Sequence, residues 1–98
     1  MVDVIWTAQA LDDLSAIAEF IAKDSRQFAS LFVIDAMTAA ERAGEFPQTG
    51  RIVPETAEPS IREALMGNYR IIYRVGTEAV SILTVYHSAR LIDIRRLY

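Results

Sequence analysis

One change of rhythm governs what this chain can fold into. Up to Gly44 the apolar residues recur at helical spacing; beyond it they alternate. A helix repeats every 3.6 residues and a strand every two, so the switch divides a helical half from a sheet half. Val2–Trp6 is a short apolar strand, and Thr7 then reads as a helix N-cap, its hydroxyl accepting a bond from the first turn. From Ala8 to about Lys23 the apolar positions Leu11, Leu14, Ile17, Ala18 and Ile21 form one stripe. Asp12 and Asp13 sit early, where the helix dipole favours negative charge. Asp24-Ser25 breaks the pattern and caps a second helix over about residues 26–43. Its stripe of Phe28, Leu31, Phe32, Met37 and the alanines at 36, 39, 40 and 43 is read as core, the alanines allowing close approach to the first helix. Gly44 is the expected C-terminal stop, with Pro47 beyond it. So short a link makes the two helices an antiparallel hairpin.

Glu45 to Ser60 contains Pro47, Gly50, Pro54 and Pro59 and reads as loop, with Arg51-Ile52-Val53 a short extended piece. Three strands follow, about Ile61–Met66, Tyr69–Val75 and Val80–His87. Their short connections at Gly67-Asn68 and Gly76–Ala79 dictate an antiparallel meander. The expected architecture is a single α+β domain over residues 1–98, ordered β-α-α-β-β-β, with the helical hairpin on one face of an antiparallel sheet. In the strand Tyr69–Val75, Tyr69, Ile71, Tyr73 and Val75 share the core face, while Arg70, Ile72 and Arg74 share the other, expected to be partly open. Arg70 and Arg74 then stand about 13 Å apart as a docking pair for carboxylates or phosphates.

With no cysteine the chain has no disulfide framework and no thiol chemistry, which suits a reducing cytoplasm. One histidine leaves little for a zinc site. No stretch reads as a signal peptide or reaches membrane-spanning length, and no metal or cofactor is expected. The net charge of −3 argues against binding a polyanion through bulk charge. The halves differ, however: residues 1–50 hold three basic and eight acidic side chains, and residues 51–98 hold seven arginines against five acids. That asymmetry points to an acidic partner or a nucleic acid meeting the second half, with scattered solubilising charge as the ordinary alternative.

His87 ends the last strand, and with Arg70 and Arg90 it is a candidate proton-transfer and phosphate-holding cluster at one end of the sheet. Glu63, Tyr73, Tyr86 and Tyr98 are the candidate second acid or base. A histidine satisfied by backbone at a strand end is the ordinary reading. Glu63 paired across strands with Arg70 or Arg74 is the ordinary reading of Arg62-Glu63, worth a few tenths to about 1 kcal/mol. No phosphate-binding glycine loop, nucleophile elbow or metal-ligand spacing is present in the sequence.

Several segments together resemble the RelE/ParE superfamily of bacterial type II toxins. Val4-Ile5-Trp6-Thr7 and Ala10-Leu11-Asp12-Asp13-Leu14, followed by Ile17 and Phe20-Ile21, are similar to its first strand and helix. Gly50-Arg51-Ile52-Val53-Pro54-Glu55 resembles its GRxVPE element. Ile61-Arg62-Glu63 with Tyr69-Arg70-Ile71-Ile72-Tyr73 resembles its IRE…YRIIY signature. Val85-Tyr86-His87-Ser88-Ala89-Arg90 resembles the V-x-H-x-x-R end of its last strand. The likeness runs in order over nearly the whole chain.

Within the superfamily, RelE-like members cut mRNA on the ribosome and ParE-like members inhibit DNA gyrase. Arg70 matches the arginine of the family's YR strand and Arg90 the one after the last strand. The lysines that RelE carries on the preceding strand have no counterpart in Ile61-Arg62-Glu63-Ala64, and Tyr98 stands at a different spacing from Arg90. The resemblance therefore implies a ParE-like, cytoplasmic inhibitor of gyrase rather than an enzyme. It would be neutralised in a hetero-oligomer with a ParD-like antitoxin. The implied binding residues are Arg62, Arg70, Arg74, Arg90, Arg95, Arg96 and Tyr98. The alternative is a ribosome-dependent mRNA endonuclease using Arg70, His87 and Arg90, with ribosome and mRNA as partners. A third is an inert member kept as a binding module.

Overall fold

The computed structural model describes residues 2–90 and 93–97, except the side chains of Ile94 and Arg96. Strand β1 (Asp3–Trp6) leads into α1 (Ala8–Ala22) and α2 (Arg26–Glu45). A 3-10 turn at Pro47–Thr49 precedes a two-residue strand β2 (Arg51–Ile52), then β3 (Ile61–Met66), β4 (Tyr69–Val75) and β5 (Ala79–His87). Both helix starts are as the sequence requires. The Thr7 hydroxyl accepts from the Ala10 N–H at 3.1 Å and the Ser25 hydroxyl from the Phe28 N–H at 3.1 Å. Thr7 Oγ1 also donates to the Ile82 carbonyl at 2.7 Å, tying the start of α1 to β5.

The sheet order is β1-β5-β4-β3-β2. The meander β3-β4-β5 is antiparallel as expected, with Gly67 at φ +57° in the first turn. The whole sheet is mixed, because β1 joins β5 in parallel. The chain reaches β5 from β1 only after the helical hairpin and three other strands, and the short connections of the meander do not constrain that pairing. Among the described residues no helix is long and apolar enough to cross a membrane.

The helical hairpin covers one sheet face. Ala10 and Leu14 of α1 and Phe32, Ala36, Ala40 and Ala43 of α2 pack on Ile71, Tyr73, Val80, Ile82 and Val85. The buried stripe of α2 is narrower than expected: it runs Ala29, Phe32, Ala36, Ala40, Ala43. A helix turns 100° per residue, so Phe28, Leu31 and Met37 fall outside that stripe and are exposed at 65, 48 and 38%. Gly44 is no stop either. It lies buried inside α2, where a Cβ would come within 2.5 Å of Val4 Cγ2, so glycine serves the close passage of β1. The helix ends at Glu45, just before the Phe46 cap and Pro47.

The opposite sheet face is not open. A strap over residues 53–60 and the segment ending at Leu97 lie across it. Val53, Ile61, Ile72 and Leu97 form a second buried cluster, flanked by Leu83 and Tyr86. Fully buried apolar side chains contribute about 1.5–3 kcal/mol each, enough to hold a cover of this size in place.

Candidate functional site

Arg70 points to that covered face and is only 5% exposed. The β3–β4 register sets Leu65 opposite Arg70 and Glu63 opposite Ile72, so Glu63 lies diagonally across from Arg70 on the same side. Arg70 Nη1 donates to Glu63 Oε1 at 2.9 Å, and its two terminal nitrogens grip Glu55 of the strap at 3.2 and 2.6 Å. Nη2 also donates to the Arg90 carbonyl at 3.1 Å. Glu63 is 1% exposed, and its second oxygen accepts from Arg51 Nε. Two carboxylates thus cage one guanidinium, and hydrogen bonding to Glu55 is the main cause that holds the Arg70 pKa above its ordinary value. A buried pair of this kind is costly to break from one side, unlike the exposed cross-strand pair the sequence suggested.

The other sequence-derived arginines divide. Arg62 donates to the carbonyls of Pro59, Gln48 and Gly50, and Arg74 Nη2 donates to that of Leu97 at 2.9 Å. Both fasten the chain to itself. Arg95 is exposed and paired with Asp93 at 2.7 Å. The Arg96 side chain and Tyr98 lie outside the described residues. Arg90 is exposed, and its side chain has no partner among the described residues.

His87 and Arg90 both line a groove of about 620 Å³ between α1 and the end of β5, with Asp13, Phe20, Tyr69 and Tyr86 also on its walls. The Ala89 N–H donates to His87 Nδ1 at 3.1 Å, which assigns the ring proton to Nε2. The Tyr69 ring stands edge-on to the imidazole with centroids 5.2 Å apart. Asp13 accepts the Thr84 hydroxyl. Arg70 is not a wall of this groove; its guanidinium reaches Arg90 only at the backbone. Of the candidate second acids, Glu63 is in the cage, and Tyr73 donates to the Pro47 carbonyl at 3.0 Å with its pKa raised above the ordinary phenol value, mainly by burial. Tyr86 alone among the described candidates shares the groove with His87. Among the described residues no cluster of three His, Cys, Asp or Glu side chains is placed to hold a metal ion.

Sequence reasoning missed an apolar surface on the hairpin: Phe20, Phe28, Ile34 and Leu31 are exposed at 67, 65, 58 and 48%. The signal was available. Once the alanine row of α2 is taken as the packed ridge, Leu31 and Ile34 must face outward.

The family model described as ParE toxin of the type II toxin–antitoxin system parDE matches residues 4–92. Toxin RelE2 of Caulobacter vibrioides is 34% identical over 91 residues, spanning 93% of this chain and 100% of that protein. Putative toxin Y4kP of Sinorhizobium fredii is 36% identical over 85 residues, spanning 85% of this chain and 84% of that one. In fold the chain is similar to a structure of the chromosomal ParDE system from P. aeruginosa, at TM-score 0.73 and 21% identity, covering 89% of this chain and 96% of that one. It is also similar to a structure of the RelBE2 toxin–antitoxin complex from Mycobacterium tuberculosis, at TM-score 0.57 and 24% identity, covering 88 and 96%.

Proposed function

The chain belongs to the ParE toxin family of type II toxin–antitoxin systems, and from that premise we propose that it acts by binding and inhibiting DNA gyrase rather than by cutting RNA. The observation that carries this reading is the Arg70 cage. Cleavage through a 2′-hydroxyl needs a base, an acid and donors that reach the charged phosphorus centre. Arg70, which the nuclease alternative requires, is buried and neutralised by Glu55 and Glu63. A phosphate approaching it would meet two carboxylates first. His87 and Arg90 remain, without a second fixed cation beside them among the described residues. An inhibitor needs only a complementary surface, and the groove and the exposed hairpin side chains provide two.

The partner in neutralisation is a ParD-like antitoxin. The outward set Phe28, Leu31 and Ile34 supplies the apolar anchors that a segment folding on contact would cover. The toxin–antitoxin systems among the structural neighbours accord with such a complex. The test is a gyrase supercoiling assay beside a ribosome-programmed mRNA cleavage assay, each with wild type and with His87→Ala. Inhibition of supercoiling with intact mRNA is expected, and expression without antitoxin should cause filamentation. Cleavage that disappears in His87→Ala, with gyrase untouched, replaces this reading with the nuclease.

A further inference from the structure

We infer that the groove between α1 and the end of β5 is the surface that holds the target, and that it takes a protein segment bearing a carboxylate beside a bulky apolar side chain. The inference rests on the reading of the chain as an inhibitor and names the surface that inhibition would use. Its first support is which charged groups are uncommitted. Arg62, Arg70, Arg74 and Arg95 all spend donors on the chain itself. Arg90 spends none from its side chain on any described residue, and it lies in the groove together with the His87 ring.

The second support is preorganisation. The Arg70 cage fixes the Arg90 carbonyl at 3.1 Å, and the Arg90 N–H donates to the His87 carbonyl at 3.0 Å. The backbone that carries the guanidinium is therefore held from both sides before any partner arrives, which lowers the ordering cost of binding. His87 Nδ1 is satisfied by Ala89, and this leaves Nε2–H as a donor. A carboxylate set between Arg90 and His87 Nε2 would accept from both.

The third support is the apolar wall. Phe20 is 67% exposed, and beside Ile17 and Val85 it offers a contact suited to a large apolar side chain. The charge balance selects a protein over a nucleic acid. Asp13 faces the same groove, so the described walls carry one acid against Arg90. The flanking half of the chain is acidic, with eight acids to three bases in residues 1–50. A run of phosphates would be repelled along α1, whereas a single carboxylate can sit beside Arg90 while Asp13 is engaged by the Thr84 hydroxyl.

The experiment uses the full chain with Arg90→Glu and Phe20→Ser, and Leu65→Ser as a control at an exposed leucine on β3, away from the groove. Melting temperature, binding to the cognate antitoxin, growth arrest and supercoiling by gyrase are measured for each. Arg90→Glu and Phe20→Ser should raise the concentration for half-inhibition of supercoiling at least tenfold and relieve growth arrest, with melting unchanged and antitoxin affinity within threefold of wild type. Leu65→Ser should behave as wild type. A folded Arg90→Glu that inhibits or arrests growth as wild type does overturns the groove assignment, as does a parallel tenfold loss of antitoxin affinity. Arg90-dependent binding of a single-stranded RNA oligonucleotide by the wild type overturns the protein occupant. If wild type arrests growth without inhibiting gyrase, the gyrase reading fails separately. Growth arrest then judges the groove: its loss in both variants supports the assignment, and its retention in either refutes it.

Discussion

Replacing Arg70 with alanine should destabilise this domain more than any other single change at a charged residue. The substitution strands Glu63, whose side chain is fully buried, with Arg51 as its one remaining partner among the described residues, and the Arg51 side chain is 60% exposed. It also removes the Arg70 bond from Glu55 of the strap, whose side chain is 19% exposed. Breaking a buried pair from one side costs about 3–5 kcal/mol. Arg51 and entering water soften the loss, which places the expectation near the lower end, about 3 kcal/mol. For a domain of this size each kcal/mol lowers the melting temperature by about 4–8 °C, so a drop of at least about 12 °C should follow. Urea unfolding followed by circular dichroism measures the free energy, and a thermal scan measures the shift. Arg70→Met combined with Glu63→Gln should recover part of the loss, because neither buried charge then remains. If Arg70→Ala lies within about 1 kcal/mol of wild type, the cage is solvated and behaves as a surface pair.

Three further outcomes follow from the geometry. Ala57 sits in the strap at φ 52°, a conformation costing an L-residue about 1–2 kcal/mol; Ala57→Gly should stabilise by about 0.5–1 kcal/mol in urea, and a loss of stability would refute the strain. The Tyr73 phenol is held protonated by burial, so its folded pKa exceeds the ordinary value of 10.0. Its contribution is present below that value and declines as the unfolded chain ionises above it; Tyr73→Phe should flatten the alkaline loss of stability in melts across that range. Phe28→Ser and Ile34→Ser, at exposed positions, should shift stability by less than about 0.5 kcal/mol yet weaken antitoxin binding in calorimetry, and unchanged affinity in both would move the antitoxin elsewhere.

What the sequence made legible is the local part of the fold. Thr7 and Ser25 declare their helix starts because a cap needs only a hydroxyl and its next three residues. Gly67-Asn68 declares a tight turn for the same kind of reason. Alternation in Tyr69–Val75 correctly places Arg70 and Arg74 away from the helices. It cannot say whether that face is open, since the answer depends on a strap more than ten residues upstream. Glu55 and Glu63 were both visible as acids, but only the β3–β4 register and the path of the strap bring them to one guanidinium. Gly44 misled for a related reason: a glycine near a helix end serves a cap or a close neighbour equally well, and the neighbour here is Val4, forty residues away in sequence. Of the candidate site, the placing of His87 and Arg90 on one groove was legible from their spacing. The apolar wall from Phe20 was not, because α1 had to be set beside β5 first.

Inhibition of gyrase, relieved by the antitoxin, is tested most directly by an order-of-addition supercoiling assay with purified gyrase, this toxin and its antitoxin. Toxin added first should abolish supercoiling in proportion to its concentration, and an equimolar antitoxin premix should restore it in full. Supercoiling that proceeds unchanged in a large excess of folded toxin would contradict the claim.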